Sequence, residues 1–316
     1  MEKLLADIKA GTSFVQVVPE DIGELVYFET SNPEAKPKSA IVYFLRKILV
    51  IVVMLALLAG IWWLFLPNFW LPLIATVLAA YFGYVLVGAQ VFEGTDFFIG
   101  TDGYAIYEFK KTRANIISKE EPRFEDIFIL LHKEEMCYKD GKYDKTNFKF
   151  TYLGKPDENN AINDGYYAES NYDAIDGDGS LRNQTYFFRC KIEDEMVARF
   201  KASADALLKA GKPVPVWVAV LNEDDTWEAK DVIKLEKGAI HFGDKTYSGE
   251  DLAKVYEAND ALYFEDANLS GRFYGIEKGE NLRIVPLRSI GFSKGVLELM
   301  GELYGTAHKK GVEGIE

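Results

Sequence analysis

Apolar and polar positions follow three different rhythms along this chain. Between Ile48 and Leu66, and again between Phe69 and Phe92, charge is absent altogether, and only Pro67 and Asn68 separate the two runs. A helix of about 20 apolar residues crosses a ~30 Å hydrocarbon core at ~1.5 Å per residue. The pattern predicts a two-helix transmembrane hairpin over 39–92, with spans at about 40–66 and 69–92. Upstream, Leu4, Leu5 and Ile8 share one face of a short helix ended near Gly11, and Pro19 to Phe28 offers a second short element before a linker holding Pro33 and Pro37. Residues 1–38 thus read as an N-terminal arm, expected on the cytoplasmic side.

Downstream the rhythm becomes that of strands. Asp96 to Phe109 places Thr101-Asp102-Gly103 between two β-rich runs, and Met136–Tyr138 and Tyr143–Tyr152 flank Lys139-Asp140-Gly141; both are hairpin signals. Phe124–Leu131 and Thr185–Cys190 read as further strands. From Ile192 through Met196, Phe200, Ala204, Leu207 and Leu208 the spacing changes to three and four, predicting an amphipathic helix that ends at Gly211. The order then restarts. Val214–Val220, Ala229–Leu235, Ala239–Phe242, Ala253–Glu257, Leu262–Glu265, Phe273–Ile276 and Leu282–Pro286 are short strands, and Phe292, Val296, Leu299, Met300 and Leu303 mark a closing helix ending near Gly305. The fold class is α+β: after the hairpin, two pleckstrin-homology-like β-sandwich or barrel modules, 93–211 and 212–316, each closed by a C-terminal α-helix.

The run Ile99-Gly-Thr-Asp-Gly-Tyr-Ala-Ile-Tyr107, with Phe124-Glu-Asp-Ile127 and the Lys139-Asp-Gly-Lys-Tyr143 turn, resembles uncharacterised bacterial membrane proteins that carry two transmembrane helices and pleckstrin-homology-like domains. The resemblance covers about residues 39–305. It implies that architecture and a cytoplasmic location for the modules. Its motifs are turns rather than reactive groups, so it carries over no catalytic residue.

Charge refines the picture. The chain has 49 Asp and Glu against 36 Lys and Arg, net −13, nearly all of it after residue 92. That sign argues against nucleic acid and against broad adhesion to anionic lipid. Lys36, Lys38, Arg46 and Lys47 flank the first span, Lys110, Lys111 and Arg113 follow the second at a distance, and the turn between them has no basic residue. A multi-pass protein of the cytoplasmic (inner) membrane with both termini in the cytoplasm is expected. Arg46 and Lys47 are candidate anchors at one interface, and Trp62, Trp63 and Trp70 at the other. Ala56 with Gly60, and Ala79 with Gly83, form two small-xxx-small faces for helix-helix packing. The spans hold no ionisable residue, so the usual mark of an ion pathway is missing. The apolar runs begin too far along the chain for a cleavable signal peptide.

Candidate chemistry is sparse. The stretch 156–180 carries Asp157, Glu158, Asp164, Glu169, Asp173, Asp176 and Asp178 without a Lys or Arg. A solvated loop, a partner-binding loop and a calcium site around Asp176, Asp178 and Ser180 are the readings, although Leu181 and Phe187 fall where an EF-hand needs glycine and a bidentate glutamate. His132, His241 and His308 are isolated in sequence and expected at surfaces or edge strands, and Glu120/Glu121 and Glu134/Glu135 as solvated strand ends. Cys137 and Cys190 are too few for a disulfide scaffold and are expected as free thiols. No catalytic motif appears, and no cofactor is implied. Aromatic content of 14% suits β cores, with a few exposed tyrosines available to a peptide or ligand.

The expectation is a bilayer-anchored, non-catalytic binding or scaffold platform with a protein partner on the cytoplasmic side. A membrane-bound sensor or effector that binds a small ligand, and oligomerises or perturbs the bilayer through its hairpin, is the alternative; homo-oligomers stay open in both. A hydrolase with an unfamiliar site in the second module is a weaker third.

Overall fold

The computed structural model describes residues 2–10, 13–15, 17–32, 40–64, 70–88, 92–162, 165–172, 181–265 and 282–305. The chain divides into two units, Met1–Glu121 and Pro122–Glu316. Both mix helix with antiparallel sheet, and among the described residues no sheet closes into a barrel.

The first unit contains α1 (Glu2–Lys9), β1 (Leu25–Thr30), α2 (Ala40–Leu64), α3 (Trp70–Gly88), β2 (Glu93–Gly100), β3 (Tyr104–Lys110) and β4 (Thr112–Glu120). Its four strands form one antiparallel sheet in the order β1-β2-β3-β4. The N-terminal arm therefore supplies an edge strand, with Phe28 paired to Phe98. Ile8 of α1 joins Ile22, Phe28, Phe98 and Tyr107 in the core beneath. Asp102 donates its N–H to the Ile22 carbonyl at 2.8 Å, and a Cβ on Gly100 would collide with that same oxygen. The Thr101-Asp102-Gly103 turn is thus locked to the arm by a close backbone approach that only glycine permits.

A buried ion pair ties the strands together. Arg113 of β4 donates from Nη1 to both carboxylate oxygens of Asp96 of β2, at 2.5 and 2.8 Å, with the two side chains 2% and 4% exposed. Arg113 also donates to the Asn32 carbonyl beyond β1, and its guanidinium stacks 4.6 Å from the rings of Phe14 and Phe109. Burial pushes the Asp96 carboxyl up, against the pull of its hydrogen bonds from Arg113 and Thr30. Arg113 is accordingly a core residue, not the membrane-flanking charge its sequence position suggested.

The apolar helices depart from expectation. One described helix, Lys47–Leu64 within α2, is long and apolar enough to cross a membrane, in place of two; the apolar part of α3, Pro72–Gly83, is shorter. One reason is visible at the end of the second run. Phe92, expected to finish a span, is 5% exposed and packs on Phe109 with ring centroids 5.4 Å apart, so the sheet claims it. Trp62 Nε1 of α2 donates to Thr76 Oγ1 of α3 at 3.2 Å. The expected Ala56/Gly60 and Ala79/Gly83 faces show no such closeness, since a Cβ on Gly60 or Gly83 would meet nothing within 4 Å. The Pro67/Asn68 turn lies outside the described residues.

The second unit contains β5 (Ile129–Lys139), β6 (Lys142–Leu153), β7 (Ala161–Ile162), β8 (Gly165–Tyr172), α4 (Leu181–Lys209), β9 (Val214–Leu221), β10 (Trp227–Glu236), β11 (Ala239–Phe242), β12 (Lys245–Ser248), β13 (Val255–Ala258), β14 (Ala261–Glu265), β15 (Leu282–Pro286) and α5 (Ser293–Tyr304). They build three antiparallel sheets: β5-β6-β8, then β12-β11-β10-β7 with β9 also on β10, then β13-β14-β15. Ala204 and Leu208 of α4 and Val296, Leu299 and Met300 of α5 share one core with Val216, Ile233 and Phe264. Full burial of such a side chain contributes about 1.5–3 kcal/mol.

Three expectations are revised here. Thr185–Cys190 is helix, not strand, because α4 begins at Leu181 and buries Phe188, Ile192, Met196, Ala204 and Leu208 along one four-residue ladder. Tertiary packing of Tyr186 on Phe148, centroids 5.2 Å apart, outweighs the β preference of this aromatic-rich stretch. Strand β5 starts at Ile129, behind a 3-10 turn at Phe124–Asp126. The acidic stretch 156–180 is not one loop, since β7 and β8 run through it and β7 pairs with β10 across the expected boundary at 211. Asp157 serves as a turn former there, its Oδ1 accepting the N–H groups of Asn159 and Ala161 at 2.8 and 2.9 Å. Asp176, Asp178, Ser180, Phe273–Ile276 and His308 lie outside the described residues.

Candidate functional site

Helix α4 is the element on which the site is built, and a charge clamp fixes where it lies. His132 of β5 sits between two carboxylates: Nδ1 is 3.1 Å from Glu193 of α4 and Nε2 is 3.2 Å from Glu134. The Nε2 contact is too oblique for a well-formed hydrogen bond, so it acts as charge on charge. The imidazole stacks on Phe150 at 4.1 Å, and Tyr186 donates its hydroxyl to Glu134 at 2.6 Å. Burial alone pushes His132 down, yet its interactions with Glu134 and Glu193 prevail and hold it up at about 9. At neutral pH the ring is therefore an imidazolium, with no lone pair to act as a base. One turn earlier, burial pushes the Cys190 thiol up to about 11; both cysteines are free, and this one is kept protonated.

The clamped helix then offers one wall of a cleft of about 460 Å³. Met196, Phe200 and Leu207 line it from α4, Phe124 and Ile127 from the 3-10 turn and its end, and Val214 and Val216 from β9. Two features mark this cleft beyond its apolar lining. Phe292, at the start of α5, holds a left-handed backbone (φ 54°, ψ 38°), a conformation that costs a bulky residue roughly 1–2 kcal/mol. It is held there by its N–H to the Leu130 carbonyl at 2.8 Å, by the neighbouring Gly291 N–H to the Trp217 carbonyl at 2.9 Å, and by stacking on Phe200 at 5.3 Å. Strain of this kind persists where the surroundings over-determine it, and it concentrates at ligand sites.

The second feature is Trp217 itself. Its indole N–H is buried and meets no acceptor among the described residues, which costs about 1–3 kcal/mol. Trp217 lies on β9, an edge strand that pairs only with β10 among the described strands and is closed on its other side at Val218↔Ile290. At the rim, Arg199 pairs with Glu195 at 3.2 Å and caps the Phe124 ring at 4.5 Å. An aromatic slot of this kind suits an apolar group.

Sequence reasoning missed His132, Glu134 and Glu193 as a group, because 61 residues separate the histidine from Glu193. The one local signal was the two-residue spacing of His132 and Glu134, which puts both on the same strand face. Glu120 and Glu121 are likewise engaged rather than merely solvated: Tyr104 donates to the first at 2.7 Å, and Lys119 and Tyr107 to the second. His241 is half-buried, with Nδ1 2.9 Å from Thr246 Oγ1. Trp63 and Trp70 are 80% and 70% exposed and Trp62 is 37% exposed, whereas the side chain of Arg46 lies outside what is described. No group of three His, Cys, Asp or Glu among the described residues is arranged to hold a metal ion. No family model, curated protein or solved structure matches this chain.

Proposed function

We propose that this chain is a membrane-anchored recognition protein whose second unit binds an apolar side chain of a protein partner in the α4/β9 cleft. The cleft is the observation that carries the reading: it joins aromatic walls and a strained Phe292. Anchoring is supported by α2, whose Leu49, Val52, Leu55 and Leu57 are all exposed. A helix apolar on every side is at home in lipid rather than water. With both termini in the cytoplasm, α2 and α3 would act as the hairpin anchor and the sheets as a non-catalytic platform. The pleckstrin-homology-like reading draws on element order, since strands of a larger sheet, a three-stranded sheet and a helix follow one another twice along the chain, as β1–β4, β5/β6/β8, α4 and as β9–β12, β13–β15, α5, although β7 joins the second of the larger sheets as a fifth strand.

The test is a photo-crosslinking phenylalanine analogue at Phe200 of the full chain in native membranes. A discrete adduct of protein mass, abolished when Ser203→Trp, on the α4 wall of the cleft, fills it, is the expected result. An adduct of small-molecule mass moves the function to the ligand-sensor alternative, which the volume of the cleft also accommodates. An adduct indifferent to Ser203→Trp, or none, removes the cleft from the function. Carbonate extraction tests the anchor separately: the full chain should stay in the pellet and a chain lacking 39–92 should not.

A further inference from the structure

The far end of the β5–β6 hairpin has two unlike faces. Strand β8 accompanies β6 only as far as Thr146, so among the described residues the tip beyond it, Met136–Lys145, is a two-stranded ribbon with no third strand beside it. Its register pairs Lys139 with Lys142, Tyr138 with Tyr143 and Cys137 with Lys145. Because side chains alternate along a strand and paired residues share a face, Lys139, Lys142 and Lys145 lie on one side, and Met136, Tyr138 and Tyr143 on the other. Met136 and Tyr138 are 65% and 64% exposed. They still form one apolar cap, with the Tyr138 hydroxyl 3.8 Å from the Met136 sulfur and its ring edge-on to Tyr143 at 6.3 Å. None of the three lysines is ion-paired among the described residues, whereas Lys133, further along their face, is held by Glu135 at 3.1 Å. Asp140 in the turn and Asp144 at the register shift leave the tip at net +1, against −13 for the chain. The β9–β10 turn, Glu223-Asp224-Asp225, carries the opposite sign.

We propose that this tip docks on the anionic surface of the bilayer that anchors the chain, with Met136 and Tyr138 at the boundary of headgroups and acyl chains and Lys139, Lys142 and Lys145 at the phosphates. The inference rests on the anchored reading of α2. Two physical terms favour lipid over a protein surface. A tyrosine prefers the water–lipid interface, and a flexible methionine beside it needs no shaped partner. Lysine stems reach from apolar surface to charged headgroups, and each unpaired lysine near an anionic leaflet strengthens docking about fivefold. A patch of this modest charge suffices because the anchor already holds it at high effective concentration. The acidic remainder of the chain is repelled by the same surface, which confines the contact to the tip.

The test uses the full chain with Cys190→Ser and an environment-sensitive fluorophore on the half-buried Cys137, reconstituted into nanodiscs of phosphatidylcholine with or without phosphatidylglycerol. Lipid spin-labelled at the headgroup should quench the probe in the anionic discs and much less in the neutral ones. Lys139→Ala, Lys142→Ala and Lys145→Ala should each lower the docking equilibrium about fivefold. Met136→Ser combined with Tyr138→Ser should abolish the quenching, and Lys237→Ala at the β10–β11 turn should leave it unchanged. The replaced side chains are exposed or half-buried, and circular dichroism checks that each variant keeps its fold. Co-migration with the disc reports the anchor separately. A chain that fails to co-migrate loses the tether and the proposal together, whereas co-migration with an unquenched probe in anionic discs overturns the docking alone. Quenching indifferent to the lysine variants overturns it as well, and so does a blue-shifted probe that lipid does not quench, which places the tip against protein.

Discussion

Asp96 with Arg113 in the first unit, and His132 with Glu134 and Glu193 in the second, are both buried charge clusters, but they are closed to different degrees. The first pair is sealed on all sides, bidentate, and stacked between Phe14 and Phe109. In the second, His132 is 17% and Glu134 36% exposed, and the group carries a proton that ordinary pH changes reach. A sealed pair removes two charges from water and repays that with geometry alone, so it pins strands and nothing else. A partly open clamp keeps some hydration, costs less to form, and can fix a helix that must present a binding wall. The difference separates structure from function in this molecule: the tightest electrostatics pin strands of a sheet, and the adjustable electrostatics lie on the helix that lines the cleft.

Breaking the sealed pair should have the largest effect. Asp96→Ala strands the Arg113 guanidinium in the core and should destabilise the first unit by about 3–5 kcal/mol, whereas the double replacement Asp96→Leu with Arg113→Leu should recover much of that loss. Thermal melts of the full chain in nanodiscs, followed by circular dichroism, report both. Should the single variant melt like wild type, the pair is not the pin described here. His132→Gln should cost less, about 1–3 kcal/mol, since Glu134 is 36% exposed and keeps its water and the glutamine amide can still donate to the buried Glu193.

The clamp also predicts a pH dependence. The folded His132 is held above its ordinary value of 6.5, at about 9. Its contribution is then fully present below about pH 6.5 and is lost as pH rises through about 9, each tenfold gain in proton affinity corresponding to about 1.4 kcal/mol. Melts at pH 6, 8 and 10 should show this decline in the wild type and not in His132→Gln; a parallel decline in both places the titrating group elsewhere. Smallest of all should be Arg199→Ala at the cleft rim, below about 0.5 kcal/mol, because an exposed i,i+4 pair with Glu195 contributes little. A larger loss would mean that its stacking on Phe124 shapes the cleft.

Local punctuation was legible in the chain. Thr101-Asp102-Gly103 and Lys139-Asp140-Gly141 turn where their chemistry says they should, with Asp140 and Gly141 at positive φ, and α4 and α5 stop just before Gly211 and Gly305, also at positive φ. Turn and cap residues act on their immediate neighbours, so sequence spacing is enough to read them. The apolar character of α2 was equally plain. The start of α4 was not, since Tyr186, Phe187 and Phe188 read as strand until Phe148 and Ile192 are brought alongside. Phe92 looked like the end of a span until Phe109 was found against it, and the arm's β1 showed no sign of its pairing with β2.

What the sequence determined by itself is therefore everything governed by contacts a few residues apart: the hairpin turns, the helix ends, the period of the amphipathic helices and an apolar helix unsuited to water. Tertiary structure alone decided which charges are paired, which strands share a sheet and where cavities open. His132 meets Glu193 and Asp96 meets Arg113 only after the chain has closed loops of 61 and 17 residues. The physical reason is that a charge or an indole donor acquires its meaning from what surrounds it within a few ångströms, and in this chain those surroundings come from distant segments.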